Sequence, residues 1–362
     1  MDSPFGPRRA LYSQVQAGGG SAPLTGQQKL DLEHLDRIYR SLCAMLYNYT
    51  PTSGHPGGSI SSGRIVESLL FNCMDYDLAQ PLREDADIIC YAAGHKALGL
   101  YALWALRTEA ARIAVPTLLP GEERLQLRLE DLLGFRRNRR TPGPLFRKFH
   151  AKPLDGHPTP ATPFVRVATG ASGTGLGSAV GLAIAALDRY GENAPRVHVI
   201  EGEGGLTPGR ASEALAAAGT SSVGNLVLHV DWNQASIDSN NVCRDGETPG
   251  DYVQWDPREL AYLNDWNVIW VPDGEDFGAI AEAQQRALAE RNGQPTAIVY
   301  RTVKGRGYGI EGRASHGAGH ALCAEGFYEA AQHLFDGKAV PLPRCEAANR
   351  RCAEGTESSV LE

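Results

Sequence analysis

Val197-His198-Val199-Ile200 runs into Glu201-Gly202-Glu203-Gly204-Gly205, and further on Asn225-Leu226-Val227-Leu228-His229-Val230 runs into Asp231-Trp232-Asn233-Gln234-Ala235. Each is an apolar run of strand length that breaks into a polar turn. Two similar runs follow, Asn267–Val271 and Ala297–Tyr300, and the periodicity predicts helices over 170–190, 209–219 and 276–291. Strands alternating with helices predict an α/β fold: three layers, with a mainly parallel sheet and helices on both faces. Ligands of such sheets bind beyond the carboxyl ends of the strands. That points to the loops starting at Glu201 and Asp231. If the two strands are parallel neighbours, Glu203 and Asn233 offer a carboxylate and an amide oxygen to one hard cation. The glycines allow backbone amides to approach an anion.

Towards the N-terminus, Leu30, Leu32, Leu35, Ile38, Leu42 and Met45 recur at helical spacing and predict an amphipathic helix over 27–49. The turn-rich loop Ser53-Gly54-His55-Pro56-Gly57-Gly58 leads into a second helix from about Ser61, and another helix follows Gly94-His95. Residues 110–165 are rich in proline and charge and read as an irregular insertion or crossing segment. Residues 1–26, with Gly18-Gly19-Gly20, read as a flexible arm, 27–335 as the folded domain, and 336–362 as a polar tail.

Composition excludes several classes of function. With 21% charged residues and a net charge of −7, nothing favours binding to nucleic acid or to a membrane surface. The one basic run, Arg136-Arg137-Asn138-Arg139-Arg140, reads as a solvated loop or a partner contact. No apolar stretch reaches the length of a membrane span, and no apolar signal core opens the chain. The seven cysteines include no CxxC pair, so neither a disulfide framework nor a zinc site is expected. They suit a reducing, cytoplasmic setting with buried thiols.

A Gly-acid-Gly turn followed by an asparagine 233 − 203 = 30 positions later resembles the thiamine diphosphate motif. Further stretches make the resemblance specific to the N-terminal, cofactor-binding half of the transketolase family, over most of residues 27–335. Ser53-Gly54-His55-Pro56-Gly57-Gly58 is similar to one histidine loop of that family and Ala93-Gly94-His95 to a second. Gly156-His157-Pro158 with Val165–Gly170 is similar to a third, and Ser315-His316-Gly317 to a fourth. Thr169-Gly170-Ala171-Ser172-Gly173-Thr174-Gly175 resembles the glycine-rich loop that meets the diphosphate.

The resemblance implies thiamine diphosphate and Mg2+ as cofactors, with Ca2+ or Mn2+ as possible substitutes. Glu203, Asn233 and the carbonyl of Ala235 would hold the metal. Gly170, Ser172, Gly202 and Gly204 would contact the cofactor. The family's acid is normally aspartate, so the longer Glu203 must fold back or the loop must shift. His55, His95, His157 and His316 would line the channel to the reacting carbon and move protons, which histidine does near neutrality. His320 is a candidate to share or replace the role of His316. Glu213 matches an interface glutamate, and Pro208 replaces a second interface acid.

The glutamate that activates the cofactor's aminopyrimidine lies in a second domain in this family. The expectation is therefore a split transketolase-like enzyme. This chain would pair with a C-terminal transketolase-like subunit carrying the pyrimidine domain, as α2β2, to transfer a two-carbon ketol unit between sugar or sugar-phosphate substrates. The alternatives are a subunit of a 2-oxo acid-decarboxylating thiamine enzyme (a dehydrogenase E1 or deoxyxylulose-phosphate synthase-like enzyme) and a non-catalytic cofactor-binding scaffold.

Overall fold

The computed structural model describes residues 7–16, 23–50, 54–162, 164–235, 253, 255–309, 311, 320 and 324–335. Among these, six parallel strands form one sheet: β1 (Tyr12–Gln14), β2 (Ile88–Cys90), β3 (Val197–Gly202), β4 (Leu226–Trp232), β5 (Asn267–Val271) and β6 (Thr296–Arg301), in the order β1-β5-β6-β4-β3-β2. β3 and β4 are parallel neighbours, with Val197 opposite Leu226 and Gly202 opposite Asp231. The loops after both strands therefore open at the same edge.

The helices in chain order are α1 (Gly26–Tyr49), α2 (Pro56–Ser61), α3 (Gly63–Ser68), α4 (Ala97–Ala114), α5 (Pro144–Lys148), α6 (Thr174–Tyr190), α7 (Gly209–Thr220), α8 (Pro257–Leu263), α9 (Phe277–Ala289) and α10 (Glu325–Ala331). Alternation along the strands divides them between two faces. Val197, Val199, Leu226, Leu228, Ala297 and Val299 pack with α6, α7 and α8. Val227, Ile269, Val271, Ile298 and Tyr300 pack with α3 and α9. Towards β2, Ile89 and Ile200 join α1, α2 and α4 in the largest apolar cluster. This is the expected three-layer α/β fold.

Three local readings change. Within the segment expected to be a flexible arm, Tyr12–Gln14 pairs with Val268–Trp270, and Arg9 bonds Asp265 at 2.7 Å. Ile88–Cys90, at the head of the apolar run 88–93, forms a further edge strand that the sequence reading left unassigned. On α1 the buried face is rotated from the expected one: Leu30 is 64% exposed, while Asp36, Tyr39, Arg40, Cys43 and Tyr47 are buried. Asp36 is accommodated there by Arg40 and Arg64 at 2.9 Å and 2.8 Å.

Within 110–165, α4 runs on to Ala114 and short 3-10 turns follow, with α5 among the described residues. Cys43, Cys73 and Cys90 are free thiols that burial pushes up to about 12. No helix among the described residues is long and apolar enough to cross a membrane.

Candidate functional site

At the carboxyl edge of the sheet a cavity of about 110 Å3 opens. Each strand end that reaches it contributes. The turn after β2 supplies Ala92, Ala93, His95 and Lys96; the turn after β3 supplies Glu201 to Gly205. Asn233 and Ala235 follow β4, and Lys304 follows β6. His55 and Gly58 come from the start of α2, and Gly170 and Ser172 from the loop before α6. Thus Gly170, Ser172, Gly202, Glu203, Gly204, Asn233, Ala235, His55 and His95, expected from separate motifs, border one space.

The metal-type ligands converge. The Ala235 amide donates to Glu203 Oε1 at 3.1 Å and to Asn233 Oδ1 at 3.0 Å, so these two oxygens face the same point. The intervening Gln234 has a φ of +55°. Its side chain exchanges hydrogen bonds with the Val253 backbone, accepting at 3.1 Å and donating at 3.2 Å. That clamp holds an unfavourable conformation and keeps the turn in place. Glu203 is buried, and desolvation followed by the nearby Asp231 carboxylate pushes its pKa up to about 7. A buried acid raised in this way favours a cation beside it. No cluster of three or more His, Cys, Asp or Glu arranged for a metal exists among the described residues. A metal here would instead use Glu203, the amide oxygen of Asn233, a backbone carbonyl and the oxygens of a ligand, which is the donor set magnesium prefers.

The sequence reading missed the cations. Lys96 Nζ lies 2.6 Å from Asp231 Oδ2, with both side chains buried. Asp231 also accepts from Ser61 Oγ at 2.6 Å and from Thr302 Oγ1. Asn233 Nδ2 donates to Ser61 Oγ at 3.2 Å, so this network also orients the amide oxygen of Asn233. Lys96 and Lys304 lie flat across the α2 backbone. A Cβ on Gly58 would stand 3.0 Å from Lys96 Cε, and one on Gly57 would stand 2.9 Å from Lys304 Cγ. The two glycines are there to let two lysines through. Two ammonium groups, a glycine-lined turn and the amino end of α6 make a fitting seat for a diphosphate. Lys304 just beyond a strand end was findable from the carboxyl-edge rule; Lys96 carried no signal except adjacency to His95.

The histidines gather on one side. The rings of His55 and His95 meet edge to face at 5.1 Å. His157 Cδ2 would stand 2.9 Å from a Cβ on Gly94 and 3.3 Å from one on Gly170, so its ring covers those backbones. Desolvation lowers the pKa of His95 well below the usual range, helped by Lys96, His55, His157 and Lys304. Desolvation and Arg136 lower that of His157. Both are therefore neutral near pH 7 and able to accept a proton. His316 lies outside the described residues. His320 is buried against Tyr308, ring to ring at 4.5 Å, with Nε2 on the Tyr308 carbonyl, and it does not border the cavity. Glu213 is exposed on α7 and does not line the cavity.

The family described as "Transketolase, thiamine diphosphate binding domain" matches residues 126–349. A transketolase-like protein 2 of Bos taurus is 35% identical over 286 residues, covering 78% of this chain and 38% of that protein. The transketolase of Mus musculus is 33% identical over 278 residues, covering 73% of this chain and 36% of that protein. The structure of transketolase from Leishmania mexicana superposes with a TM-score of 0.65 at 26% identity, over 91% of this chain and 44% of that one. The chain thus spans less than half the length of the relatives it matches.

Proposed function

This chain belongs to the transketolase family through its thiamine diphosphate-binding domain, and from that premise we propose that it holds the diphosphate end of the cofactor, with Mg2+, in an enzyme that transfers a two-carbon ketol unit between sugar-type substrates. The observation that carries this reading is the convergence of Glu203 Oε1 and Asn233 Oδ1 on one amide, at 3.1 Å and 3.0 Å, inside a cavity flanked by Lys96 and Lys304. Glu203, Asn233 and the Ala235 carbonyl hold the metal. Lys96, Lys304 and the amides around Gly170 and Gly202 to Gly204 meet the phosphate oxygens. The longer Glu203 is accommodated by its hydrogen bond from the Ala235 amide. When bound, thiamine diphosphate supplies the carbanion chemistry. The chain's own task is to seat it and to move protons: neutral His95 and His157, with His55, take a proton from a substrate hydroxyl and return one to an oxygen.

The partner belongs to the same proposal. The chain matches 38% and 36% of the length of two of its relatives. We propose as its partner a C-terminal transketolase-like subunit carrying the pyrimidine domain, in an α2β2 complex in a reducing cytoplasm.

The test is titration of the full chain, with its partner where one co-purifies, by thiamine diphosphate with and without Mg2+. Magnesium-dependent binding that Glu203→Ala abolishes is expected; unchanged affinity in that variant would remove the metal assignment. Carbon dioxide release from pyruvate would favour the decarboxylating alternative. Recovery of the chain alone from its native extract, with cofactor and metal present, would count against the split enzyme.

A further inference from the structure

Along β3, positions 197, 199 and 201 share one face of the sheet. Val197 and Val199 pack there with α6 and α7, and the row predicts a third apolar side chain. Glu201 stands in its place, 2% exposed. Its Oε1 accepts from the Gly202 amide at 3.0 Å, while Oε2 is buried without a hydrogen-bond partner among the described residues. A carboxyl so enclosed and only half satisfied costs free energy, and it adds nothing to the apolar layer it interrupts. Its use lies in the turn that follows.

That turn folds back over its own start. From Glu203 to Leu206 the chain makes a short 3-10 turn, and Leu206 re-enters the apolar cluster of Val197 and Val199. Gly205 is thereby brought against Glu201. A Cβ on Gly205 would stand 2.0 Å from Glu201 Cδ and 2.2 Å and 2.3 Å from its two oxygens. The carboxyl at the near end of the turn thus fills the room that a side chain at the far end would need. Glu203 stands midway between the two, and its Oε1 meets the Ala235 amide at 3.1 Å, beside Asn233 Oδ1. The Asn233 side of this meeting point is held separately, by Ser61 and by the clamp of Gln234 on Val253. How closely the two oxygens approach therefore depends on how far the 201–205 turn stands off, and the buried carboxyl fills the space beneath it. In a close-packed interior such a filler is felt to within a methylene.

We propose that Glu201 is a positioning residue for the metal: wedged against Gly205, its carboxyl sets the height of the turn and so the reach of Glu203 Oε1 to the point it shares with Asn233 Oδ1. It acts by shape and by the hydrogen bond from Gly202, not as a ligand. Groups behind a metal's own ligands tune its affinity in this way. This rests on the reading of Glu203 and Asn233 as metal ligands.

The experiment is calorimetric titration of the full chain with thiamine diphosphate, without metal and at a series of Mg2+ concentrations, with the midpoint of thermal unfolding recorded for every variant. Glu201→Ala should raise the Mg2+ concentration needed for half-maximal cofactor binding by roughly tenfold to a hundredfold and leave metal-free affinity unchanged. Glu201→Gln, which keeps the shape and the acceptor for Gly202, should behave as the unaltered chain does. Gly205→Ala should give a similar loss from the other side, because the carboxyl leaves its methyl no room. Glu201→Ala with Gly205→Ala should regain part of that loss, because the methyl then enters the vacated space. Should Glu201→Ala fail to fold, the contrast between Glu201→Gln and Gly205→Ala decides. A loss in Glu201→Gln as large as in Glu201→Ala would make the charge itself a ligand and overturn the proposal. Equal losses with and without Mg2+, losses that simply add in the double variant, or an unchanged Mg2+ requirement in Glu201→Ala and Gly205→Ala would overturn it as well. In those cases a Glu203→Ala chain that has lost its response to Mg2+ leaves the metal reading standing. Cofactor binding that ignores Mg2+ in the unaltered chain, or no cofactor binding at all, would overturn both.

Discussion

Lys96 Nζ and Asp231 Oδ2 are 2.6 Å apart, with side-chain exposures of 4% and 0%. An ion pair so enclosed forfeits hydration that its mutual attraction only partly returns, so its presence is weak evidence for stability as such. What it does is hold a cation inside the cavity and, through Ser61, orient Asn233.

Removing one partner leaves the other as a bare buried charge. Lys96→Met is expected to cost about 3–5 kcal/mol of stability, and Lys96→Met with Asp231→Asn distinctly less, because neither charge then remains. Urea unfolding of the single and double variants measures the coupling. Additive losses would show that the two groups do not depend on each other.

Glu201 and Glu203 titrate near 7 in the folded chain, against an ordinary value of 4.5. Between those values the folded state holds protons that the unfolded state has released. Stability of the metal-free chain should therefore fall as pH rises from about 4.5 through about 7, then level off. Magnesium at Glu203 favours the carboxylate, so its binding should release a proton below about pH 7 and cofactor affinity should rise from about pH 6 to about pH 8. Calorimetry in two buffers of different ionisation enthalpy counts that proton. Affinity independent of pH, with no proton released, would be incompatible with Glu203 as a ligand.

Gly57 and Gly58 pass under Lys304 and Lys96. Gly57→Ala should push the Lys304 stem, met at Cγ, off its path and weaken diphosphate binding by roughly tenfold, about the loss of one charge-assisted contact. Gly58→Ala presses on the more adaptable end of Lys96 and should do less. Equal affinities in both variants and the unaltered chain would mean that the lysines do not touch the ligand.

Under the proposed function, His55→Ala and His95→Ala should each lower turnover by roughly 10²–10⁴ and lower stability far less, since both side chains border the cavity. Turnover that survives either change would make that ring a piece of the wall.

The sheet and the metal-type turn were legible because their signals are local. An apolar run ending in Gly-acid-Gly announces both a strand and where it stops. The α1 face was not, because its register is set by distant groups: Asp36 is buried against Arg64, and no periodicity of leucines reports that partner. Lys96 was hidden for the same reason, as its partner lies on β4, far along the chain. Arg136 was visible as charge only; its approach to His157 depends on its own φ of +53° and on the hydrogen bond its amide donates to the Leu154 carbonyl.

The edge strand has a consequence for how the molecule is made. Tyr12–Gln14 finds its place only beside Val268–Trp270, which is itself held by β6. The paired positions Tyr12 and Val268 are 268 − 12 = 256 residues apart, the longest chain closure in the described sheet, and long closures form slowly relative to local contacts. A tag fused close to Tyr12 would act on that closure, so tag-dependent yield is to be expected.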